Sequence, residues 1–235
     1  MALHDISLPW HEIDTVLVDM DGTLLDLAFD NFFWLDLVPA RYAERAGMSI
    51  ADAREEITAR YARLLGRLEW YCVDHWSAEL GLDIVELKRR HRHLIGYLPG
   101  ATSFLAAIRA LGKRLAIVTN AHPETIAVKT AVTGVHEQVD EILCSHDLAA
   151  PKESAAFWQA LGRHRPFDPD RTLLVEDSLS VLEAAREHAI RHLVAIRRPD
   201  STRPARDITG FASVDGIAEL IEPQRSFAEA RQRRA

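Results

Sequence analysis

Residues 16–26 read VLVDMDGTLLD, and this stretch decides the fold. Its first three residues are β-branched or aliphatic and predict a buried strand, yet Asp19 and Asp21 follow with a single residue between them. A buried strand gains nothing from two carboxylates at its end, and their like charges repel one another. We therefore predict that a cation or a reacting group lies at the end of this strand.

Similar apolar runs recur along the chain and alternate with amphipathic segments. The predicted strands are residues 15–18, 114–118, 141–144, 172–175 and 192–196. The predicted helices between them are residues 101–111, 123–133, 153–162 and 178–188. Strands that have no polar face and alternate with helices are typical of a parallel sheet covered on both sides. The pattern predicts an α/β protein with a doubly wound parallel sheet.

The long segment between the first two strands has a different pattern. Residues 29–97 contain no strand pattern but several helical ones, of which residues 51–65 form an amphipathic repeat. A structureless loop of this length would be unusual in a compact protein. We therefore predict an inserted α-helical cap at residues 29–97, on a catalytic core made of residues 1–28 and 98–235.

Composition and charge limit the classes of partner. The 235 residues are 48% hydrophobic, enough for a full core, and the net charge of −7 provides no basic field for a nucleic-acid polymer, although a single nucleotide needs only a local anion site. Two cysteines are too few for a disulfide framework. Residues 1–14 contain no signal peptide and no apolar run is long enough to cross a membrane. We expect a cytoplasmic protein that binds no membrane.

Polar side chains follow the later strands as well. Thr119 and Asn120 come after the second strand, Lys152 precedes a predicted helix, and Glu176 and Asp177 follow the strand at 172–175. In open parallel sheets, ligands bind beyond the carboxyl ends of the strands, so we expect these groups to meet at one edge.

Grouped carboxylates repel one another unless they share a hard cation such as Mg²⁺. The predicted metal ligands are Asp19, Asp21, Glu176 and Asp177. A carboxylate beside such an ion can attack the phosphorus of a phosphate monoester, whose negative oxygens require neutralisation. We assign Asp19 as the nucleophile, and Asp21 as the general acid for the leaving oxygen and then the base for water.

Five residues are predicted to bind the phosphate. Lys152 supplies a fixed positive charge and Thr119 a hydroxyl donor, and both are also predicted to be catalytic. Gly22 and Thr23 form a turn whose amides can point at phosphate oxygens, and Asn120 lies beside Thr119. The predicted partner is therefore a small phosphate ester, and the oligomeric state is left open, with a monomer slightly favoured.

Four short motifs carry a family resemblance, in order along the chain. They are DMDGT at residues 19–23, VTN at 118–120, PK at 151–152 and VEDS at 175–178. In these motifs the chain resembles the haloacid dehalogenase superfamily. The resemblance implies a Rossmann-like core with a helical cap in the place of residues 29–97, Mg²⁺ as cofactor, and hydrolysis through an aspartyl-phosphate at Asp19.

The resemblance extends to particular members of that superfamily. Residues 14–31, 68–84 and 118–129 are similar to segments of its purine 5′-mononucleotide phosphatases, which act on GMP and IMP. This similarity implies a purine mononucleotide as the substrate. The chain departs from that group at Glu176, where we expect a second aspartate, so the division of metal ligation between Glu176 and Asp177 is left open.

Trp70 is a candidate for stacking on the purine. If residues 68–80 form one helix, Cys72 and Trp76 lie on its apolar stripe, and Trp70 lies on the opposite, exposed face, where an aromatic ring can stack on a base. If the helix begins only at Asp74, Trp70 belongs to a loop and this argument does not apply.

The eleven histidines show no convincing pairing at a spacing of four, so we expect most of them to be solvated or locally bonded. His122, two residues beyond Asn120, is the exception near the site.

A sugar-phosphate phosphatase or a phosphomutase is the alternative function within the enzyme class. A non-catalytic phosphate-binding module is the alternative from another class. A dehalogenase is disfavoured because Asp21 has no part in displacing a halide.

Overall fold

The structure of the protein, a computed structural model, describes residues 8–221. Residues 1–7 and 222–235 lie outside it, so the expectation that residues 1–14 contain no signal peptide falls partly outside the described residues. Six strands of the described chain form one parallel sheet in the order β3-β2-β1-β4-β5-β6. The strands are β1 (Thr15–Val18), β2 (Arg114–Thr119), β3 (Glu141–Cys144), β4 (Thr172–Glu176), β5 (His192–Ile196) and β6 (Ala212–Val214). The predicted doubly wound parallel sheet is confirmed.

The described range contains nine α-helices. They are α1 (Ala28–Phe32), α2 (Val38–Ala46), α3 (Ile50–Leu64), α4 (Val73–Leu80), α5 (Ile84–Arg90), α6 (Ala101–Ala110), α7 (Pro123–Thr133), α8 (Ala155–His164) and α9 (Leu179–Glu187). A π-helical stretch, Phe33–Leu37, joins α1 to α2. Each of the five predicted strands and each of the four helices predicted between them is present, with bounds that differ by two residues at most.

The alternation of side chains along β1 explains why the strand has no polar face. Val16 and Val18 pack into one apolar cluster, which includes Phe104 of α6, whereas Leu17 packs into a second cluster with Trp158 of α8. Because successive side chains point to opposite faces, a strand covered on both sides must be apolar at every position. β1 lies between β2 and β4, so its carboxyl end is at the centre of the sheet edge.

The segment between β1 and α6 contains α1 to α5 and no named strand. Its two connections to the sheet run side by side: the amide of Asp26 donates to the carbonyl of Gly96, and the amide of Leu98 donates to the carbonyl of Leu24, each at 2.9 Å. The predicted helix at 51–65 is α3, which begins after Ser49, whose hydroxyl accepts a hydrogen bond from the Asp52 amide. The division into cap and core stays a prediction.

The first alternative for this segment, one continuous helix over residues 68–80, is wrong. A 3₁₀ turn, Leu68–Tyr71, ends at Cys72, which has an extended backbone, and α4 begins at Val73. The carbonyl of Trp70 accepts a hydrogen bond from the Trp76 indole at 2.8 Å instead of from a helical amide. The second alternative, a helix that begins at Asp74, agrees with the structure to within one residue. Trp70 therefore does not lie on the exposed face of a helix.

β6 was not predicted, because its sequence carries little signal. Only Val214 of its three residues is buried, and the strand lies at the edge of the sheet, beside β5. Among residues 8–221, no helix is long and apolar enough to span a bilayer. The cytoplasmic location stays a prediction.

Candidate active site

The carboxyl ends of β1, β2 and β4 open into a cavity of about 370 Å³. Asp19 follows β1 directly, and its amide donates to the Val175 carbonyl of β4 at 2.9 Å. Nine of the predicted site residues line this cavity, and five separate segments of the chain bring them there. They are Asp19, Asp21, Trp70, Thr119, Asn120, Lys152, Glu176 and Asp177, together with His122.

Lys152 lies at the centre of the acidic groups and is almost completely buried. Its Nζ atom donates to Asp19 Oδ1 at 2.5 Å, to Glu176 Oε2 at 2.7 Å and to the Val118 carbonyl at 3.0 Å. An ammonium group has three hydrogens, so these acceptors use all of them. Lys152 therefore holds Asp19 and Glu176 in place and balances part of their charge.

Burial governs the proton affinity of the three acids around this lysine. Loss of solvent, followed by repulsion from Glu176, raises the pKa of Asp19 to about 8. Burial also raises the pKa of Glu176 to about 7, against the attraction of Lys152. Burial and the charge of Asp19 raise the pKa of Asp177 to about 7. The positive groups of the protein therefore do not fully compensate the negative charge of these three carboxylates.

Asp19, Glu176 and Asp177 each offer a carboxylate oxygen within 4.8 Å of the others, a spacing at which one cation can be shared. Glu176 uses its second oxygen, Oε1, to accept the amides of Asp177 and Ser178, both at 3.0 Å. Asp177 is less engaged: its Oδ2 lies 3.7 Å from Arg206. The side chain of Asp21 is not in this group.

Asp21 instead pairs with a lysine that sequence reasoning missed. Lys129 Nζ donates to Asp21 Oδ1 at 2.6 Å and to Asp30 Oδ2 at 2.5 Å, and Lys88 Nζ donates to Asp30 Oδ1 at 3.1 Å. Both lysines are almost completely buried. One feature indicates that Lys129 has a charged partner. It follows Val128 on the buried face of α7, where a charged residue requires a partner.

Asp21 and Asp30, the two acids that share Lys129, differ in proton affinity. Burial raises the pKa of Asp21, although the Lys129 charge opposes this effect. For Asp30, burial is outweighed by the charges of Lys129 and Lys88, which lower its pKa to about 2. The same attraction overcomes desolvation and raises the pKa of Lys129 to about 12. Asp21 is therefore the acid of this pair that retains a proton more readily.

Asn120 and Glu153 fix the loop that carries Lys152. The Asn120 side chain accepts the Lys152 amide at 2.9 Å and donates to Glu153 Oε2 at 3.0 Å. The hydroxyl of Tyr71, in the helical segment, donates to Glu153 Oε1. Thr119 Oγ1 accepts the Ala121 amide at 3.0 Å and lines the cavity. Asn120 thus positions Lys152 in this structure.

Gly22 and Thr23, predicted to bind phosphate, are buried and are not among the residues that line the cavity. The Gly22 amide donates to the Leu25 carbonyl at 2.7 Å, so it is already satisfied. Gly22 has φ +91°, and a Cβ atom there would lie 2.9 Å from Asp177 Cγ. Only glycine can adopt this backbone conformation in the turn and approach Asp177 so closely.

The wall opposite the acids is aromatic and comes from the helical segment. Trp70, Tyr61, Trp34 and Trp76 line it. The rings of Tyr61 and Trp70 meet edge to face, with centroids 5.2 Å apart, and those of Tyr61 and Trp76 meet in the same way at 4.8 Å. Trp76 is fully buried, whereas Trp70 is half-buried, so Trp70 retains surface that a ligand can contact.

Known proteins are similar to this chain in sequence or in fold. The family model described as haloacid dehalogenase-like hydrolase matches residues 13–188. GMP/IMP nucleotidase YrfG of Escherichia coli (strain K12) is 39% identical over 216 residues, which cover 92% of this chain and 97% of that protein. Phosphoglycolate phosphatase of Nitrosococcus oceani is 24% identical, over 80% of this chain and 91% of its own. The crystal structure of a HAD phosphatase from Thermococcus onnurineus has a TM-score of 0.73 at 22% identity and covers 90% of this chain and 98% of its own.

The structure is an α/β protein whose parallel strands bring a buried acid cluster to one edge of the sheet. The chain belongs to the haloacid dehalogenase-like hydrolase family, and within it the protein is a phosphatase. A non-catalytic phosphate-binding module, the alternative from another class, is therefore not supported.

Proposed function

We propose that the protein is a Mg²⁺-dependent phosphate monoester hydrolase that forms an aspartyl-phosphate at Asp19 and acts on a purine 5′-mononucleotide, GMP or IMP. The observation that carries the chemistry is the convergence of Asp19, Glu176 and Asp177 around a buried lysine. The 39% identity to a GMP/IMP nucleotidase supports the substrate.

The donor set fits a hard divalent cation. All three groups are carboxylates, their oxygens lie within 4.8 Å of one another, and burial leaves their charge undercompensated. Oxygen ligands of this kind suit Mg²⁺. When bound, Mg²⁺ would neutralise the acids and the phosphate oxygens, so that one anion can approach another.

In the first half of the reaction, Asp19 attacks phosphorus with Oδ2, the oxygen that does not accept the hydrogen bond from Lys152. The bond from Asp19 to phosphorus forms while the bond from phosphorus to the ester oxygen breaks. The leaving oxygen takes the proton that Asp21 retains because of its burial. An alcohol, here a nucleoside, is released.

In the second half, water attacks the phosphorus of the aspartyl-phosphate. Asp21, now a carboxylate held by Lys129, accepts the proton of that water, and the bond between Asp19 and phosphorus breaks. Inorganic phosphate leaves, and the free carboxylate of Asp19 and the protonated Asp21 are restored. Lys152 holds Asp19 in one orientation throughout.

The helical segment at residues 29–97 acts as the cap that selects the leaving group. Acids at the strand ends contact only the phosphate, so selectivity depends on the opposite wall. That wall includes the aromatic rings of Trp34, Tyr61 and Trp70, beside the polar groups of Asn31 and Lys88. A purine has a flat face that gains about 1–3 kcal/mol by stacking on such a ring. A hexose has no flat aromatic face and does not gain this stacking energy.

A phosphate-release screen with Mg²⁺ tests the proposal. We expect GMP and IMP to give higher kcat/KM than pyrimidine mononucleotides, hexose phosphates and phosphoglycolate. Sugar-phosphate hydrolysis is the competing function within the enzyme class. Hydrolysis of phosphoglycolate is a further competitor, because a phosphoglycolate phosphatase is also among the relatives. If hexose phosphates or phosphoglycolate were the better substrates, the nucleotide assignment would fail and the phosphatase chemistry would stand.

A further inference from the structure

A second cluster of metal-ligating side chains lies beside the cavity. Cys72 Sγ and one ring nitrogen each from His122 and His146 lie within 4.8 Å of one another. The two imidazole rings meet edge to face with centroids 4.8 Å apart. The three residues come from separate segments: Cys72 precedes α4, His122 precedes α7, and His146 follows β3.

His146 has the form of a metal ligand. Its Nε2 atom is buried and has no hydrogen-bond partner among residues 8–221. A buried ring nitrogen that has no hydrogen-bond partner can direct its lone pair at a metal ion. Burial, with repulsion from His122, lowers the pKa of His146, which favours the neutral ring that binds metals.

The spacing and the kind of ligand suit zinc. Tetrahedral zinc, with bonds of about 2.3 Å to sulfur and 2.0–2.1 Å to nitrogen, places its ligand atoms roughly 3.3–3.6 Å apart. The ligand atoms of the present cluster lie within 4.8 Å of one another, so they must move closer to reach that separation. At His122, metal binding replaces the hydrogen bond that Nδ1 accepts from the Glu124 amide at 3.3 Å, since a neutral ring bound through one nitrogen carries its proton on the other. Asp74 Oδ2 lies 3.6 Å from His122 Nε2 but outside this group of three, so Asp74 must rotate toward the site to serve as the fourth ligand.

We propose that Cys72, His122 and His146, completed by Asp74, form a binding site for Zn²⁺ or a similar transition metal. This site differs in chemistry from the carboxylate group at Asp19. Thiolate and imidazole ligands prefer zinc, whereas an all-oxygen group prefers Mg²⁺. The two ions can therefore occupy their sites together.

Occupancy would connect the helical segment to the sheet. Cys72 and Asp74 belong to the segment between β1 and β2, whereas His122 and His146 belong to loops at the carboxyl ends of β2 and β3. Tyr71 and Val73, the neighbours of Cys72, line the cavity. An ion here holds these residues over the cavity and slows exchange of product, so Zn²⁺ lowers turnover of the Mg²⁺-supported enzyme.

Cobalt provides a direct probe of the ligands, because Co²⁺ bound to a thiolate absorbs in the near ultraviolet. We expect the metal-free full chain to bind one Co²⁺ with this thiolate band, and Zn²⁺ to displace it. Cys72→Ser should remove the band, and His146→Ala should weaken binding at least about tenfold. Cys144→Ser is the matched control, since that thiol is buried and bonds the Ala121 carbonyl, and it should keep the band.

The site is refuted if the wild-type chain gives no thiolate band, or if the band survives Cys72→Ser. Cys72→Ala serves as the second variant if the serine variant does not fold. The effect on turnover is tested with Zn²⁺ added in excess Mg²⁺. We expect about tenfold more Zn²⁺ to be needed for half-inhibition of Cys72→Ser than of the wild type. Equal inhibition of both would show that zinc acts at the carboxylates and would overturn the effect on exchange.

Discussion

Lys129 Nζ lies 2.6 Å from Asp21 Oδ1, and the same ammonium also contacts Asp30, ninety-nine residues away in sequence. Two carboxylates therefore share one buried lysine, and a second lysine, Lys88, contacts only Asp30 of these two. The asymmetry explains why the pKa of Asp30 is lowered and that of Asp21 is raised. The environment thus separates a charged structural acid from an acid that can give up a proton.

Replacing Lys129 by methionine should lower kcat about 100-fold or more, because Asp21 loses the group that orients it, and general acid-base catalysis typically contributes 10²–10⁴-fold. KM should change little. Lys88→Met is the matched control, since Lys88 is equally buried but bonds Asp30 alone. Steady-state kinetics with GMP, together with thermal melts, check the prediction. Equal losses of kcat in both variants would mean that the cluster only supports the fold.

Asp19→Asn should remove turnover by at least about 10³-fold while the fold is retained, since the amide has the same shape but is a poor nucleophile. Asp14→Asn provides the control at the other end of β1, where the carboxylate is exposed and pairs with Arg171. It should stay within about twofold of the wild type. Phosphate release from purified, melt-checked variants is the measurement. Near-normal activity of Asp19→Asn would refute the covalent mechanism.

The two acids after β4 should differ in their effect on the metal. Asp177 has freer oxygens than Glu176, which accepts from Lys152 and two amides. Asp177→Asn should therefore raise the Mg²⁺ concentration for half-maximal activity more than Glu176→Gln, by about tenfold. Glu176→Gln should instead lower the melting temperature, because Lys152 loses a charged partner. The opposite ranking in Mg²⁺ titrations would make Glu176 the principal ligand.

Trp70→Ala should raise KM for GMP or IMP about fivefold or more, the lower end of what base stacking contributes. Hydrolysis of glycerol 2-phosphate, which has no base to stack, should barely change. Trp70→Phe keeps a flat ring and should recover most of the affinity. Comparable losses on both esters would assign Trp70 to packing against Tyr61 and Trp76 rather than to the substrate. An unchanged KM would place base recognition elsewhere in the cavity.

The acidic centre was predictable because each of its residues follows or lies near a strand of one parallel sheet. Asp19, Thr119 and Glu176 needed only the strand pattern to be placed at a common edge. Lys129 and Asp30 were not predictable in this way, since their pairing depends on how α7 packs against α1. Sequence periodicity describes one helix at a time and contains no information on which helices meet.

The helical segment was harder to predict for a related reason. Cys72 interrupts what the apolar spacing presents as one helix, because the Trp76 indole takes the carbonyl of Trp70. That hydrogen bond exists only once the aromatic cluster has formed. The cluster of Cys72, His122 and His146 likewise joins three segments that no local motif connects.

The paired connections at Asp26 and Gly96 have a consequence for protein engineering. Because the chain leaves and re-enters the sheet through hydrogen-bonded neighbours, the two ends are separated by about one strand spacing, 4.7–4.9 Å. A short turn can therefore join them, and the closure entropy of so small a loop is low. If residues 29–97 select the leaving group as proposed, grafting helical segments from other phosphatases onto this junction should change the substrate preference while Asp19 and Asp177 stay in place. The junction is therefore a suitable position for such chimaeras.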